Sequence, residues 1–183
     1  MKTVQTRLDF LAAVAKMLPP NPIGVELGVL NGDFSQQILD VLKPKYLTLI
    51  DPYETGGERY DSGLSSAYST ETEYQRVLDR FKNEIANEQI AIIREYSFDA
   101  VYSFADNSLS FVYLDASHLE DDVKKDLTDW LPKMKEGSLI CGHDLVAISN
   151  FGVIQAVNWF CEKYKFKMVV LNSNGGDWAL QKA

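Results

Sequence analysis

The 183-residue chain has two histidines, and each stands beside a carboxylate: His118 closes the run Asp115-Ala116-Ser117-His118, and His143 sits between Gly142 and Asp144. Both groups follow directly on apolar runs that read as buried strands. If those strands are parallel neighbours, their tips lie about 4.8 Å apart, so Asp115 and Asp144 converge on one point. Two converging carboxylates repel unless one is protonated or a cation lies between them. Hard oxygen donors with His143 alongside suit Mg²⁺, Mn²⁺ or a similar divalent ion rather than a structural zinc. The plainer alternative is that Asp115 caps the next helix while His143 and Asp144 make loop hydrogen bonds. A free imidazole has a pKa of about 6.5, and a histidine at such a strand tip, His118, suits a general base.

A second constellation lies near the start of the chain, in Glu26-Leu27-Gly28-Val29-Leu30-Asn31-Gly32. Glycines at a strand-to-helix turn allow close backbone approach, where open α/β sheets bind ligands. A carboxylate such as Glu26 at the end of a buried strand is costly unless something binds it. A pyrophosphate-binding loop would carry a middle glycine where Leu30 stands, and the acid Asp33 opens the helix, so phosphate is disfavoured. A ligand with a cationic amino-acid end suits the pocket better. Asp51 ends the next strand, where a carboxylate can accept from both ribose hydroxyls of a nucleoside or, alternatively, cap a turn.

These residues need a scaffold that brings strand ends together, and the hydrophobic pattern supplies one. Strand and helix periods alternate along nearly the whole chain, the pattern of an α/β sandwich with a mostly parallel sheet. Val4, Leu8, Leu11, Ala15 and Leu18 predict an accessory helix over residues 3–18, ended by Pro19, Pro20 and Pro22. Strands follow at residues 23–27, 47–51, 89–93, 109–115 and 138–142. A Thr70-x-x-Glu73 capping box predicts a helix running to about Glu84, and Leu119, Val123, Leu127 and Trp130 mark another. Residues 52–69, rich in glycine and serine, read as an irregular loop that either closes over an acceptor or stays on the surface. Lys167 to Leu171 and Asp177 to Leu180 close the chain as a hairpin, unlike the paired halves of a nicotinamide-binding domain. Residues 1–183 thus read as a single domain.

Composition narrows the function. The net charge of −8 and the lack of a basic face argue against a nucleic-acid partner. No run approaches the ~18 uncharged apolar residues of a spanning helix, and Arg7 and Asp9 interrupt the opening stretch, so a cytoplasmic location away from membranes is expected. Cys141 and Cys161 are too few for a disulfide framework. The chain is compatible with a homo-oligomer.

The residues resemble a known family, the class I S-adenosylmethionine-dependent methyltransferases, and in particular their small-molecule O-methyltransferase branch acting on sugars and natural products. Glu26-x-Gly28-x-x-x-Gly32 resembles the first cofactor motif, Leu49-Ile50-Asp51 the ribose-binding strand end, and the closing hairpin the reversed last strand. Tyr113 to His118, then Asp126-Leu127-x-x-Trp130-Leu131-Pro132, Glu136-Gly137 and His143-Asp144 carry the more specific likeness. The resemblance implies a Rossmann-like three-layer sandwich with a seven-stranded sheet in the order 3-2-1-4-5-7-6, its last strand antiparallel. It implies S-adenosylmethionine as cofactor, bound by Glu26, Gly28, Gly32, Asp51 and Asp115. Tyr96 precedes Ser97 where the family often has an acid near adenine, so the Tyr96 ring and the Ser97 hydroxyl or backbone would contact the base. Asp115, His143 and Asp144 would hold a divalent ion, and His118 with Asp115 would serve catalysis on a hydroxyl of a small-molecule acceptor. A nicotinamide-dependent oxidoreductase, a metal-dependent hydrolase and a non-catalytic nucleoside-binding protein are the rival readings.

Overall fold

The computed structural model describes residues 1–54, 70–148 and 151–182. Its eight strands are β1 (Lys2–Val4), β2 (Ile23–Leu27), β3 (Tyr46–Ile50), β4 (Ile90–Ile93), β5 (Leu109–Leu114), β6 (Met134–Gly142), β7 (Phe166–Asn172) and β8 (Trp178–Lys182). They form one sheet in the order β1-β7-β8-β6-β5-β2-β3-β4. All pairs are parallel except those of β8 with β6 and β7. Without β1, this is the expected seven-stranded order with its reversed strand.

The period-2 alternation of the central strand β5 divides the core into two layers. Phe111 and Tyr113 face a layer formed by α1 (Arg7–Ala15), α2 (Asp33–Leu42) and α3 (Glu71–Arg80), with Phe10, Phe34, Ile38 and Val77 buried there. Val112 and Leu114 face the opposite layer, where α6 (Glu120–Trp130) and α7 (Val153–Tyr164) bury Leu127, Trp130, Val157 and Phe160. Two short helices, α4 (Lys82–Ala86) and α5 (Ser97–Ala100), flank β4.

The N-terminal segment departs from the expected helix over residues 3–18. Lys2–Val4 pairs in parallel with Val170, Leu171 and Asn172 of β7, and the helix occupies Arg7–Ala15, its first turn capped by the Thr6 side chain accepting from Asp9 N–H at 3.1 Å. The buried face is Phe10, Leu11, Ala13 and Val14, while Leu8 is exposed. The predicted capping box is present, with Thr70 and Glu73 bonding reciprocally. That helix breaks at Phe81 into α3 and α4. The expected loop at residues 52–69 lies largely outside the described residues.

Candidate active site

Sheet register aligns the candidate residues. Leu27 of β2 pairs with Ile50 of β3 and Leu114 of β5, and Leu114 pairs with Gly142 of β6. The next residue on each strand is therefore Gly28, Asp51, Asp115 or His143, side by side along the carboxyl edge. Antiparallel β8 begins at Trp178 opposite Gly142, which brings Asp177 to the same edge from the other direction.

Gly28 has φ +83°, and a Cβ there would lie 2.1 Å from the Asp115 carbonyl oxygen. A side chain at this position would push apart the tips of β2 and β5. Leu30 also has a positive φ of 55°, unfavourable for an L-residue. Asp51, 4% exposed, supports that turn: its Oδ2 accepts from the Val29 and Leu30 N–H groups at 2.9 and 3.1 Å, and its Oδ1 from Tyr53 N–H at 2.9 Å. The carboxylate thus clamps the loop in the manner of a turn cap.

Glu26 is 1% exposed and accepts from the Ser35 hydroxyl of α2 at 2.5 Å. Burial pushes its carboxyl up to about 8, against the lowering effect of Ser35. A buried acid poised in this way gains by meeting a cationic ligand group.

The histidines and acids at the β5 and β6 tips form a connected cluster. His118 Nε2 lies 2.7 Å from Asp144 Oδ2, and His143 Nδ1 lies 3.1 Å from the same oxygen. His143 Nδ1 is also 3.7 Å from Asp115 Oδ1. Burial disfavours a charged His143, but Asp115 and Asp144 outweigh it and raise the imidazole to about 10. Burial likewise opposes ionisation of Asp144, yet the two histidines hold it well below the usual carboxylate range. His118 stacks on Phe151 with ring centroids 4.3 Å apart and planes 5° from parallel, which fixes the ring. Ligand atoms of Asp115, His118 and Asp144 all lie within 4.8 Å of one another. That donor set could hold a hard divalent ion, with His118 in the place the sequence assigns to His143.

Arg7 was not singled out in the sequence. Its Nε bonds Asp177 Oδ1 at 2.9 Å, one terminal nitrogen reaches the Tyr113 hydroxyl at 3.2 Å and lies 3.7 Å from Asp115 Oδ2, and its guanidinium covers the Phe34 ring at 4.3 Å. Asp177, 1% exposed, also accepts from the Tyr113 hydroxyl at 2.5 Å and from Asn172 Nδ2 at 2.7 Å. Arg7 and Asp177 are 170 positions apart, so no local spacing joins them. The only trace in the sequence is an acid directly before the apolar run Trp178-Ala179-Leu180.

Beside Gly28 and Ile50 opens a cavity of about 410 Å³, walled by Pro52, Tyr96, Ser97, Phe98 and Asp126 among others. Tyr96 and Phe98 stack at 5.3 Å. The Ser97 hydroxyl donates to Asp126 Oδ1 at 2.5 Å, and burial raises that acid to about 7. Asp126 stands on the inward face of α6 with Val123, Leu127 and Trp130, and an acid in an apolar stripe is the signal that could have marked it.

A family model described as a methyltransferase domain matches residues 25–145, about two thirds of the chain and every strand tip from Gly28 to Asp144. The chain is a class I S-adenosylmethionine-dependent methyltransferase. Its fold is similar to that of the O-methyltransferase NovP, at 18% identity over 97% of this chain and 80% of that one, with a TM-score of 0.70. Two other similar structures are described as "putative": a caffeoyl-CoA O-methyltransferase from Staphylococcus aureus (17% identity, 97% and 85% of the chains, TM-score 0.67) and an rRNA-methylase from Clostridium thermocellum (8%, 98% and 96%, 0.66). No curated protein sequence matches. In this methyltransferase no helix among the described residues is long and apolar enough to cross a membrane.

Proposed function

We propose that this methyltransferase transfers a methyl group to a hydroxyl of a small molecule, with His118 as the base. The observation that carries the reading is the 2.7 Å contact of His118 Nε2 with ionised Asp144. With Nε2–H directed at that carboxylate, the other ring nitrogen, Nδ1, is left to take a proton.

When bound, S-adenosylmethionine supplies a methyl on a positively charged sulfur, and its transfer leaves a neutral thioether. Glu26 suits the cofactor's ammonium, Asp51 its ribose hydroxyls, and Gly28 and Gly32 the close passage of its chain. The residues fit this group: a buried acid held by the Ser35 hydroxyl, a turn at Gly28 that excludes a Cβ, and a cavity lined by that same glycine. His118 Nδ1 would take the proton that the acceptor hydroxyl gives up on receiving the methyl group. Asp115 stands at the tip of β5 between the two halves of the site, where it can orient the acceptor. Holding the acceptor oxygen in line with the methyl supplies much of the acceleration.

A second reading is favoured by the spacing of the donor atoms: Asp115, His118 and Asp144 would hold a divalent ion that polarises the acceptor hydroxyl. His118 cannot both ligate an ion through Nε2 and donate Nε2–H to Asp144. The base reading is favoured because Arg7 and a protonated His143 already offset the charge of Asp115 and Asp144. A net charge of −8 supports a small acceptor over RNA. The test is methyl transfer from labelled S-adenosylmethionine to a panel of sugar, phenol and catechol hydroxyls, with amine, thiol and RNA acceptors for comparison. Turnover on hydroxyls supports the reading, and turnover confined to RNA, amines or thiols contradicts it.

A further inference from the structure

Because β8 runs against β6 and β7, its first residues, not its last, reach the carboxyl edge of the sheet. Three consecutive residues there grip the histidine and acid cluster or its support. Asp177 fixes Arg7, whose guanidinium lies 3.7 Å from Asp115. Gly176 and Trp178 meet the chain on either side of Asp144. The Gly176 carbonyl accepts from Leu145 N–H at 3.0 Å, and Trp178 Nε1–H donates to the His143 carbonyl at 2.9 Å.

Asp144 needs such a hold. Its φ of 57° lies in the left-handed region, where a residue other than glycine persists only if its surroundings fix it. His143 N–H donates to the Leu114 carbonyl at 3.0 Å, which ties the start of the turn to β5, and beyond it the Gly176 and Trp178 bonds grip the turn. Trp178 is fully buried and lines the same crevice as Asp115, His118, His143 and Asp144. Its ring lies against Gly142, where a Cβ would stand 2.4 Å from the indole Cζ2. The run Gly142-His143-Asp144 therefore leaves room for an indole directly beside the turn. A buried indole N–H finds one acceptor as a rule, and here the acceptor belongs to the residue before Asp144.

We propose that Trp178 is a positioning residue for the His118–Asp144 pair: its indole N–H holds the His143 carbonyl and so keeps Asp144 in the left-handed turn that brings its carboxylate to His118. The inference rests on the reading of His118 as base and deepens it, since it names what aims the acid that orients the imidazole. Trp178 acts through the His143 backbone, not on the acceptor. Removing the indole N–H frees the turn to relax toward an ordinary backbone conformation, which carries the Asp144 carboxylate away from His118. A misplacement of about 1 Å in a group that orients the reacting partners can cost about a hundredfold in rate.

The experiment compares the full-length wild-type protein with two variants, Trp178→Phe and a chain in which Trp178 is replaced by benzothienylalanine. The latter puts sulfur in place of the indole N–H in a ring of nearly the same size, so it keeps the packing on Gly142 and covers the case in which Trp178→Phe does not fold. In the crystal structure of the benzothienylalanine variant, the distance from His118 Nε2 to Asp144 Oδ2 should open from 2.7 Å to beyond about 3.5 Å, the limit of a hydrogen bond. With a hydroxyl acceptor that the wild-type protein methylates, kcat should fall roughly tenfold to a hundredfold, while KM for the acceptor and affinity for S-adenosylhomocysteine stay unchanged. Retention of the His118–Asp144 contact in that variant overturns the inference, however far the unfolding midpoint falls. Loss of the contact with kcat unchanged supports the positioning of Asp144 by Trp178 and overturns instead the reading of His118 as base.

Discussion

His118 and Asp144 stand 2.7 Å apart across the tips of two parallel strands, and the Asp144 oxygen they share is also the one His143 reaches at 3.1 Å. Asp144 occupies this place in a left-handed backbone conformation, φ 57°, which aspartate tolerates better than most residues. The His118 base reading predicts that His118→Ala lowers kcat by about 10²- to 10⁴-fold with cofactor affinity unchanged. It also predicts that turnover persists in excess chelator. Loss of turnover on chelation, restored by Mg²⁺ or Mn²⁺, would move His118 from base to ligand.

The Asp51 clamp changes how a substitution there must be interpreted. Asp51→Ala leaves the N–H groups of Val29, Leu30 and Tyr53 without their partner, so a stability loss of about 2–4 kcal/mol is expected whether or not ribose binds. Weaker cofactor binding by this variant therefore carries little information. The 2′- and 3′-deoxy analogues of S-adenosylhomocysteine leave the clamp intact, and each should bind wild-type protein about tenfold more weakly than the parent if Asp51 accepts from both hydroxyls. Equal affinities would confine Asp51 to the turn.

The strand order was legible because buried parallel strands read as short apolar runs between turn signals, and Leu109–Leu114 and Ile23–Leu27 are clear cases. Lys2–Val4 was not, since three residues carry no period and their partner lies at the far end of the chain. Leu8 fitted a helical stripe by spacing but faces solvent, while Phe10 fills the core. The convergence of Asp115 and Asp144 follows from strand adjacency and could be anticipated. Which histidine stands nearest both acids depends on loop conformation, and the Arg7 to Asp177 pair depends on two termini meeting across the sheet. Neither leaves a local pattern.

That pair should matter for stability. Arg7→Ala strands Asp177 as a buried charge held only by Tyr113 and Asn172, and a loss of about 2–4 kcal/mol is expected, a little below the range for a fully buried pair because Arg7 is partly exposed. For a chain of this length the midpoint should fall by roughly 5–15 °C. Thermal unfolding of the variant within a degree or two of wild type would contradict the network.

Glu26 and His143 both hold protons more tightly in the folded protein than in the unfolded chain. Each therefore contributes stability that is fully present below its unfolded pKa and is lost as pH rises through the folded value. For Glu26 the decline falls between about 4.5 and about 8, and for His143 between about 6.5 and about 10. Denaturant titrations across pH should show Glu26→Gln flattening the lower window and His143→Gln the upper one. A wild-type stability that rises with pH through both windows would contradict these assignments.

The central claim is that the strand-tip edge of β2, β3 and β5 binds S-adenosylmethionine, with its ammonium at Glu26, and the most direct measurement is the protonation balance of that binding. Calorimetry of S-adenosylhomocysteine near pH 7, repeated in buffers of different ionisation enthalpy, should show binding accompanied by proton release, because a carboxyl lifted to about 8 must ionise to meet the ammonium. Glu26→Gln should bind more weakly and release no proton, and NAD and NADP should not bind. Binding of S-adenosylhomocysteine without proton release would contradict the placement at Glu26, and nicotinamide cofactors binding as well or better would contradict the account as a whole.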